Sequence, residues 1–401
     1  MPWRESCAMD ERMRFVAACL SQTTTTMTQT CELFGVSRKT GYKWLERYAA
    51  GGPAGLAERS HAPHRPAHAT DAAIVARIVA ERVARPTWGP RKIVAKLADA
   101  EPQIAWPAPS TAGEILKRAG LVGPRRLHRR APPRPGPLTQ PQAPNDVWAV
   151  DHKGWLRLRD GTRCEPLTIT DGFSRFLISL SATPNTRDAE ARPHFERAFR
   201  EHGLPWVIRS DNGSPFASAG VSGLTALSAW WVRLGIAHER IDPGKPQQNG
   251  RHERFHRTLL EAMHPPGACR ADQEARFEAF RRDYNDERPH EALGQRPPCR
   301  VYAPSLRAMP TSPPEPDYPR EAAVRQVRSN GEIKWRGGLV AISTAIVGEP
   351  VCVEETADGQ WRVRYYAMPL GVIDHKTNRL TRKKPDRPET TTPETAMDDA
   401  L

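Results

Sequence analysis

The sequence predicts a multidomain chain: two all-α units in front, an α/β core with a mixed sheet in the middle, and a small all-β module behind. Three observations predict this order. Helical periodicity broken by Gly-containing turns fills residues 1–122, and strand-length apolar runs ending in Asp fill 146–305. Short alternating segments between Gly turns then fill 330–375. At 401 residues the chain can bury several separate cores.

Residues 1–60 read as helices. Met9 to Ser21 carries Met13, Val16, Ala17 and Leu20 at helical spacing, and Thr28 to Phe34 makes a short helix closed by Gly35. Ser37 caps Arg38 to Tyr48, which ends before Gly51-Gly52. Two helices joined by a short Gly-containing turn make a helix-turn-helix pattern. Val36, Leu45 and Tyr48 are free to pack inward, leaving Arg38, Lys39, Lys43 and Arg47 for phosphates or base edges. An αα-hairpin with a solvated basic face fits the same pattern.

A second such unit spans 66–122 after the Pro/His-rich connection His61 to Pro66. Asp71 to Val83 is helical, with Ile74, Val75, Ile78 and Val79 on one side. Trp88-Gly89-Pro90 breaks it, and Pro90 starts a basic helix holding Arg91 and Lys92. Pro109-Ser110 opens a third helix, stopped by Gly120. Residues 123–145 form a linker with Arg125, Arg126, Arg129, Arg130 and Arg134 among seven prolines. It cannot build a core.

Charge points the same way. Lys+Arg 59 against Asp+Glu 46 gives +13, which suits a polyanionic partner such as nucleic acid, although solvated basic faces would also account for it. The seven cysteines are scattered without a C-x-x-C pair, as in a reduced, cytoplasmic chain. No export signal or membrane-length apolar run is visible.

In the core, Val147 to Asp151 is a strand ending on a carboxylate, prolonged by Trp155 to Arg159, with a hairpin turn at Asp160-Gly161. Pro166 to Asp171 and Phe176 to Ser181 follow as strands, Asp188 to Glu201 as an amphipathic helix with Phe195 and Phe199. Pro205-Trp206-Val207-Ile208 then delivers Asp211 onto a Gly/Pro turn. After a polar loop, Asp242 to Gly250, a helix runs from Arg251 through Glu261. Phe255 and Leu259 form its buried pair, with Glu253, His256 and Arg257 around the polar side. Alone, each Asp could equally cap a turn.

Taken in order, Val147-Trp148-Ala149-Val150-Asp151, Ser210-Asp211-Asn212-Gly213-Ser214-Pro215-Phe216 and Asn249-Gly250-Arg251-His252-Glu253-Arg254-Phe255 resemble the three signature segments of DDE transposases. Asp171-Gly172-Phe173-Ser174-Arg175 is similar to that family's strand-end motif, and Arg288 to Gly294 to the end of its core, a closing and not a catalytic segment. The front end, with Trp88-Gly89-Pro90-Arg91, resembles bacterial insertion-sequence transposases in particular.

The resemblance implies a retroviral-integrase-type, ribonuclease H-like core over 146–305, with Asp151, Asp211 and Glu253 as catalytic and metal-binding acids. Hard oxygen donors imply two Mg²⁺ ions, with Mn²⁺ able to substitute and Zn²⁺ disfavoured. Asp151 is expected to bridge both ions, Asp211 to hold one and Glu253 the other. The implied reaction is hydrolysis at the element's terminal repeats, then attack of the freed 3′-OH on target DNA. Lys245, Gln248, Asn249 and Arg257 are candidate DNA-positioning groups. Double-stranded DNA and a homodimer or larger assembly on paired ends are the implied partners. An inactive or domesticated DNA-binding relic, repressor-like, would keep the same fold.

Three departures stand beside the resemblance. Asp211 to Glu253 is about forty residues, longer than the compact viral spacing, with Ala217 to Ala229 read as an Ala/Ser/Gly-rich insertion. Glu239 and Asp242 are rival third acids, and no zinc module of the viral type precedes the core. Residues 306–329 are a Pro-rich linker, 330–375 a five-stranded SH3-like barrel with Trp335, Arg336, Arg362 and Arg364 on offer to DNA or a subunit, and 376–401 a disordered tail.

Overall fold

The computed structural model describes residues 7–21, 26–58, 69–123, 138–220, 222–356, 359–374 and 377–381. The connection 61–66, the arginines of the linker at 125–134 and the tail from 382 lie outside the described residues. The chain divides into two compact units, 1–71 and 72–401.

The first unit holds α1 (Ala8–Leu20), α2 (Met27–Leu33) and α3 (Arg38–Gly51), closed by a 3₁₀ turn at Gly52–Leu56. Thr26 and Ser37 cap α2 and α3 by accepting from the backbone N–H groups of Gln29 and Thr40. Its core is Phe15, Val16, Cys31, Trp44 and Leu56, with Val36, Leu45 and Tyr48 packed at its edge. The basic helix therefore turns its tryptophan inward, a position the hydrophobic pattern alone left unmarked.

The second unit opens with α4 (Ala72–Ala84), α5 (Pro90–Ala100) and α6 (Pro109–Arg118) around Ile78, Trp88, Ile93, Leu97, Ile115 and Leu116. The core sheet follows: β1 (Val147–His152), β2 (Leu156–Arg157), β3 (Arg163–Asp171), β4 (Leu177–Thr183), β5 (Val207–Ser210) and β6 (Ala237–Arg240). β3 pairs antiparallel with β1, β2 and β4, while β1, β5 and β6 run parallel. The sheet is mixed, as the strand–helix–strand pattern predicts.

Side-chain alternation divides that sheet into two faces. Trp148 and Val150 of β1 and Leu167 and Ile169 of β3 face α7 (Asp188–His202) and α8 (Ala226–Arg233), meeting Phe195, Phe199, Trp230 and Trp231. The intervening residues Asp151, Thr168 and Thr170 face α9 (Gly250–Ala262), whose Phe255 and Leu259 pack with Phe277, Phe280 and Tyr284 at α10 (Arg270–Arg282) and the π turn after it. Asn285 in that turn accepts from the Leu177 N–H and donates to the Leu177 carbonyl, capping β4.

Three expectations change here. The stretch read as an insertion, Ala217 to Ala229, runs into α8, and Leu227, Trp230 and Trp231 make that helix part of the core. Small residues pack where a helix approaches a sheet closely, so composition alone misreads them. The all-β module, with β7 (Ala323–Gln326), β8 (Glu332–Trp335), β9 (Gly338–Ala341), β10 (Pro350–Glu355), β11 (Trp361–Tyr365), β12 (Met368–Asp374) and β13 (Arg379–Thr381), is not a closed barrel: its five-stranded sheet runs β13–β12–β11–β10–β7, with β8–β9 as a separate hairpin. These strands span Ala323–Gln326 (β7) to Arg379–Thr381 (β13), so the module also begins earlier than the alternation suggests. Val363 and Tyr365 fill its core, and Leu224, Ala229 and Val232 of the α8 region pack against it.

Candidate active site and the family of the chain

Parallel pairing fixes the first two acids. Val147 lies opposite Val207, Trp148 opposite Ile208 and Ala149 opposite Arg209. Asp151 stands four residues past Val147 (151 − 147) and Asp211 four past Val207 (211 − 207), so both leave the carboxyl ends of neighbouring strands at one level. Adjacent strands run roughly 4.8 Å apart. Carboxyl ends of parallel strands are where open α/β sheets gather their ligands.

The electrostatics agree with that placement. Burial first, and then the charge of Asp211, push the Asp151 carboxyl up to about 7, with Glu253 adding a smaller push and Lys153 opposing it. Asp211 accepts from the Gly213 N–H at 3.1 Å, which holds its carboxylate back over the turn. Glu253 is exposed on the first turns of α9. Two of the three acids are thus fixed by strands, and the third is carried by a helix that follows a loop.

The rival acids are spoken for. Glu239 accepts from Arg209 Nε at 2.7 Å and from the Thr139 N–H at 2.7 Å. Asp242 accepts from Lys245 Nζ at 2.8 Å and Gln248 Nε2 at 3.0 Å, and its N–H donates to Gln248 Oε1 at 2.7 Å. Lys245 and Gln248 therefore brace their own loop, Asn249 is buried, and Arg257 is exposed. Asp171 is a structural acid: it accepts from the N–H groups of Asn145 and Ser174 and from the Ser174 hydroxyl.

In the first unit Arg38, Lys39 and Lys43 are exposed, while Arg47 and Lys43 sit over the Trp44 ring at 5.0 and 4.5 Å. Arg91 and Lys92 of α5 meet the core instead. Arg91 pairs with Glu291 at 2.9 Å, and Lys92, largely withdrawn from water near Arg288, is held down to about 8. Lys96 pairs with Glu287, and Arg85 lies near both Glu287 and Asp283. In the all-β module Arg364 is tied to Glu354 at 2.6 Å, and Arg336 covers Trp361.

Sequence reading missed two features. Arg175, Arg251 and Arg296 line an open groove of about 470 Å³ beside Gly172 and Gly294. Burial first, and then the charge of Arg251, lower Arg175 to about 10, so the groove is short of negative charge. These arginines come from three distant segments, which no local motif joins. The second is a buried polar layer under Asp151, described below; His256 belongs to it and not to the solvent side of α9.

The mixed sheet, the paired carboxyl-end acids and the helix carrying a third acid define an integrase-type core. The sequence comparisons agree: the family described as Integrase core domain matches residues 141–246 and, in a second profile, 234–298. A Helix-turn-helix domain matches 11–66, a Homeodomain-like domain 40–116, and the IS481 family transposase C-terminal domain 322–381. A protein of insertion element IS407 from Burkholderia multivorans is 30% identical over 47% of this chain and 67% of its own length. One from insertion element IS476 of Xanthomonas euvesicatoria is 30% identical over 40% of this chain and 45% of its own.

The chain belongs to the insertion-sequence transposases with an integrase core, a ribonuclease H-like fold. A simian T-cell lymphotropic virus intasome in complex with a PP2A regulatory subunit is similar at 17% identity over 69% of this chain and 97% of that one, with a TM-score of 0.36. That likeness is too loose to assign anything here. Among the described residues, no helix is long and apolar enough to cross a membrane.

Proposed function

We propose that the chain binds the terminal repeats of its mobile element, cleaves there, and joins the freed 3′-OH ends to target DNA. The observation that carries this reading is the in-register exit of Asp151 and Asp211 from parallel strands, with Glu253 beside them on α9. A half-buried carboxylate facing a second one is a site short of positive charge, which fits divalent cations with oxygen donors. Asp151, Asp211 and Glu253 would hold Mg²⁺, or Mn²⁺ in its place, and such ions stabilise the oxygens of an in-line phosphodiester displacement.

The chain's own residues do the rest. Arg38, Lys39 and Lys43 grip DNA from α3, and Arg175, Arg251 and Arg296 hold a phosphate backbone in the groove beside α9. Lys245 and Gln248 act at one remove, bracing the loop that places Glu253, and Asn249 is buried where that loop enters α9. Two ends must be processed together, so the working form is a dimer or larger.

The test is Mg²⁺-dependent nicking and joining of duplexes carrying the element's ends. Wild type should give both nicked and joined products, with Asp151→Asn and Asp211→Asn falling to background while still shifting the duplex in a gel. Equal inertness of wild type and both variants on bound DNA would sink the enzyme and leave a DNA-binding relic.

A further inference from the structure

Under Asp151 lies a layer of polar side chains in otherwise apolar packing. His252 and His256, one helical turn apart on α9, are both buried, and face Thr168 and Thr170 of β3. Thr168 stands opposite Asp151 across the β1–β3 ladder. Such a layer costs stability unless every group is satisfied, and a leucine pair would fill the same space more cheaply.

Hydrogen-bond counting assigns the tautomers. Thr168 Oγ1 lies 2.9 Å from the Asp151 carbonyl, 2.6 Å from His252 Nε2 and 2.9 Å from His256 Nε2. A hydroxyl has one proton and two lone pairs, and a carbonyl only accepts. The Thr168 proton therefore goes to the Asp151 carbonyl, and both histidines donate through Nε2–H. His252 Nδ1 is left as an acceptor, matched by the Thr170 hydroxyl at 3.1 Å. His256 Nδ1 is left with a lone pair and lies 3.8 Å from Asp151 Oδ2.

That distance decides the reading. It is too long for a hydrogen bond. Two donors on one ion, each bonded at about 2.1 Å, lie about 3.0 Å apart at a right angle and about 4.2 Å apart when opposite. The gap of 3.8 Å lies between those limits, and one donor atom each from Asp151, His252 and His256 falls within 4.8 Å of the others. We propose that His256, through Nδ1, is a nitrogen ligand to a divalent cation held on Asp151. This rests on the reading of Asp151 as a metal-binding acid. Thr168 and His252 are positioning residues that fix the His256 ring and its tautomer, as partners of ligating histidines do.

A nitrogen ligand changes the ions the site should take. Imidazole suits Mn²⁺ less than Zn²⁺ but both better than Mg²⁺, so the site gains affinity toward the later transition ions. An all-oxygen site carries less of that bias. His256 thus tilts the Asp151 end of the centre away from the pure oxygen chemistry that its carboxylates suggest.

The test uses the full chain with Mn²⁺ alone, read by pulsed electron paramagnetic resonance, and Zn²⁺ and Mg²⁺ titrations read by calorimetry. Wild type should show histidine ¹⁴N coupling to bound Mn²⁺. His256→Phe should lose it, with Zn²⁺ binding weakened about tenfold or more and Mg²⁺ binding little changed; His252→Phe should retain the coupling. If His256→Phe fails to fold by circular dichroism, His256→Asn should fold and still lack the imidazole signal. Mn²⁺ bound by wild type and not by Asp151→Asn, but without ¹⁴N coupling, overturns the role of His256 and leaves the metal reading intact. Coupling that survives in the His256 variants also overturns it. Mn²⁺ binding indifferent to Asp151→Asn, or absent up to ~10 mM, brings down both proposals.

Discussion

The two faces of α9 make different demands on the same helix. The inner face carries His252, Phe255, His256 and Leu259, all buried, and the outer face carries Arg251, Glu253, Arg254 and Arg257, all exposed. The proposed acid site draws on both, because Asp151 is met from the inside and Glu253 is offered from the outside. The inner partners are fixed by packing before any ligand arrives. The outer acid depends on where the helix and its loop are held. The difference teaches that one end of the acid site is preorganised and the other is assembled.

The largest effect should separate the faces outright. Phe255 lies against Tyr284 at 5.2 Å and Phe280 at 6.3 Å, so Phe255→Ala opens a cavity and should cost about 3–5 kcal/mol in urea unfolding. Glu253→Gln should stay within about 0.5 kcal/mol of wild type while abolishing cleavage. A Glu253→Gln that unfolds like Phe255→Ala would end the distinction.

Next comes acid. Burial holds His252 down to about 3 and His256 to about 2, against an ordinary 6.5, so both are neutral in the fold and the 3.8 Å approach to Asp151 is not an ion pair. The unfolded chain takes up those protons first. Stability from this pair is therefore complete above pH 6.5 and lost as pH falls below it. His152, held to about 4, and His290, held to about 3, slope the same way, so the difference between proteins is the clean measure. Between pH 6.5 and 4.5 wild type should lose about 2 kcal/mol more than His256→Phe, the slope approaching one proton per pH unit at the acid end. Parallel curves would mean that His256 is charged or exposed.

Asp151 has the opposite sign. Its carboxyl is raised to about 7, so the stability it contributes is present in acid, below its ordinary 3.8, and lost as pH rises through 7. In metal-free protein at pH 8.5, Asp151→Asn should be more stable than wild type by about 1–2 kcal/mol, discounted for a side chain that keeps 21% exposure. The advantage should vanish near pH 4, and millimolar Mg²⁺ should stabilise wild type alone. A destabilised Asp151→Asn at pH 8.5 would show that the carboxylate is paired, not strained.

How much of this could be read from sequence follows the same inner and outer division. Asp151, Asp211 and Glu253 sit in short contiguous motifs, and the strand and helix order of the core follows from periods of 2 and 3.6. Thr168 and His256 meet only through the β1–β3 register and the docking of α9, which are tertiary facts. The polar side assigned to His256 failed because one turn of α9 buries polar groups among apolar ones. Trp230 and Trp231 were hidden behind a run of small residues. The closed barrel was overread from alternation, which gives strands but not closure. Arg91 and Lys92 looked free because the groups they meet, Glu291 for both and Arg288 for Lys92, lie roughly two hundred residues away.

That last contact carries the smallest prediction. Side chains of Arg91 and Glu291 are 69% and 75% exposed, so their 2.9 Å pair works in water and against the entropy of two long side chains. A double-mutant cycle with Arg91→Ala and Glu291→Ala should give a coupling of about 0.5 kcal/mol or less, fading in 1 M salt. The Lys96–Glu287 pair is more enclosed, at 25% and 40%, and should couple somewhat more strongly. Couplings in that order extend the division on α9 to α5, with exposure setting what a charge contributes. A coupling above about 1.5 kcal/mol at the exposed pair would mean that α5 is clamped to the core. Its basic residues would then have to be released before they could meet DNA.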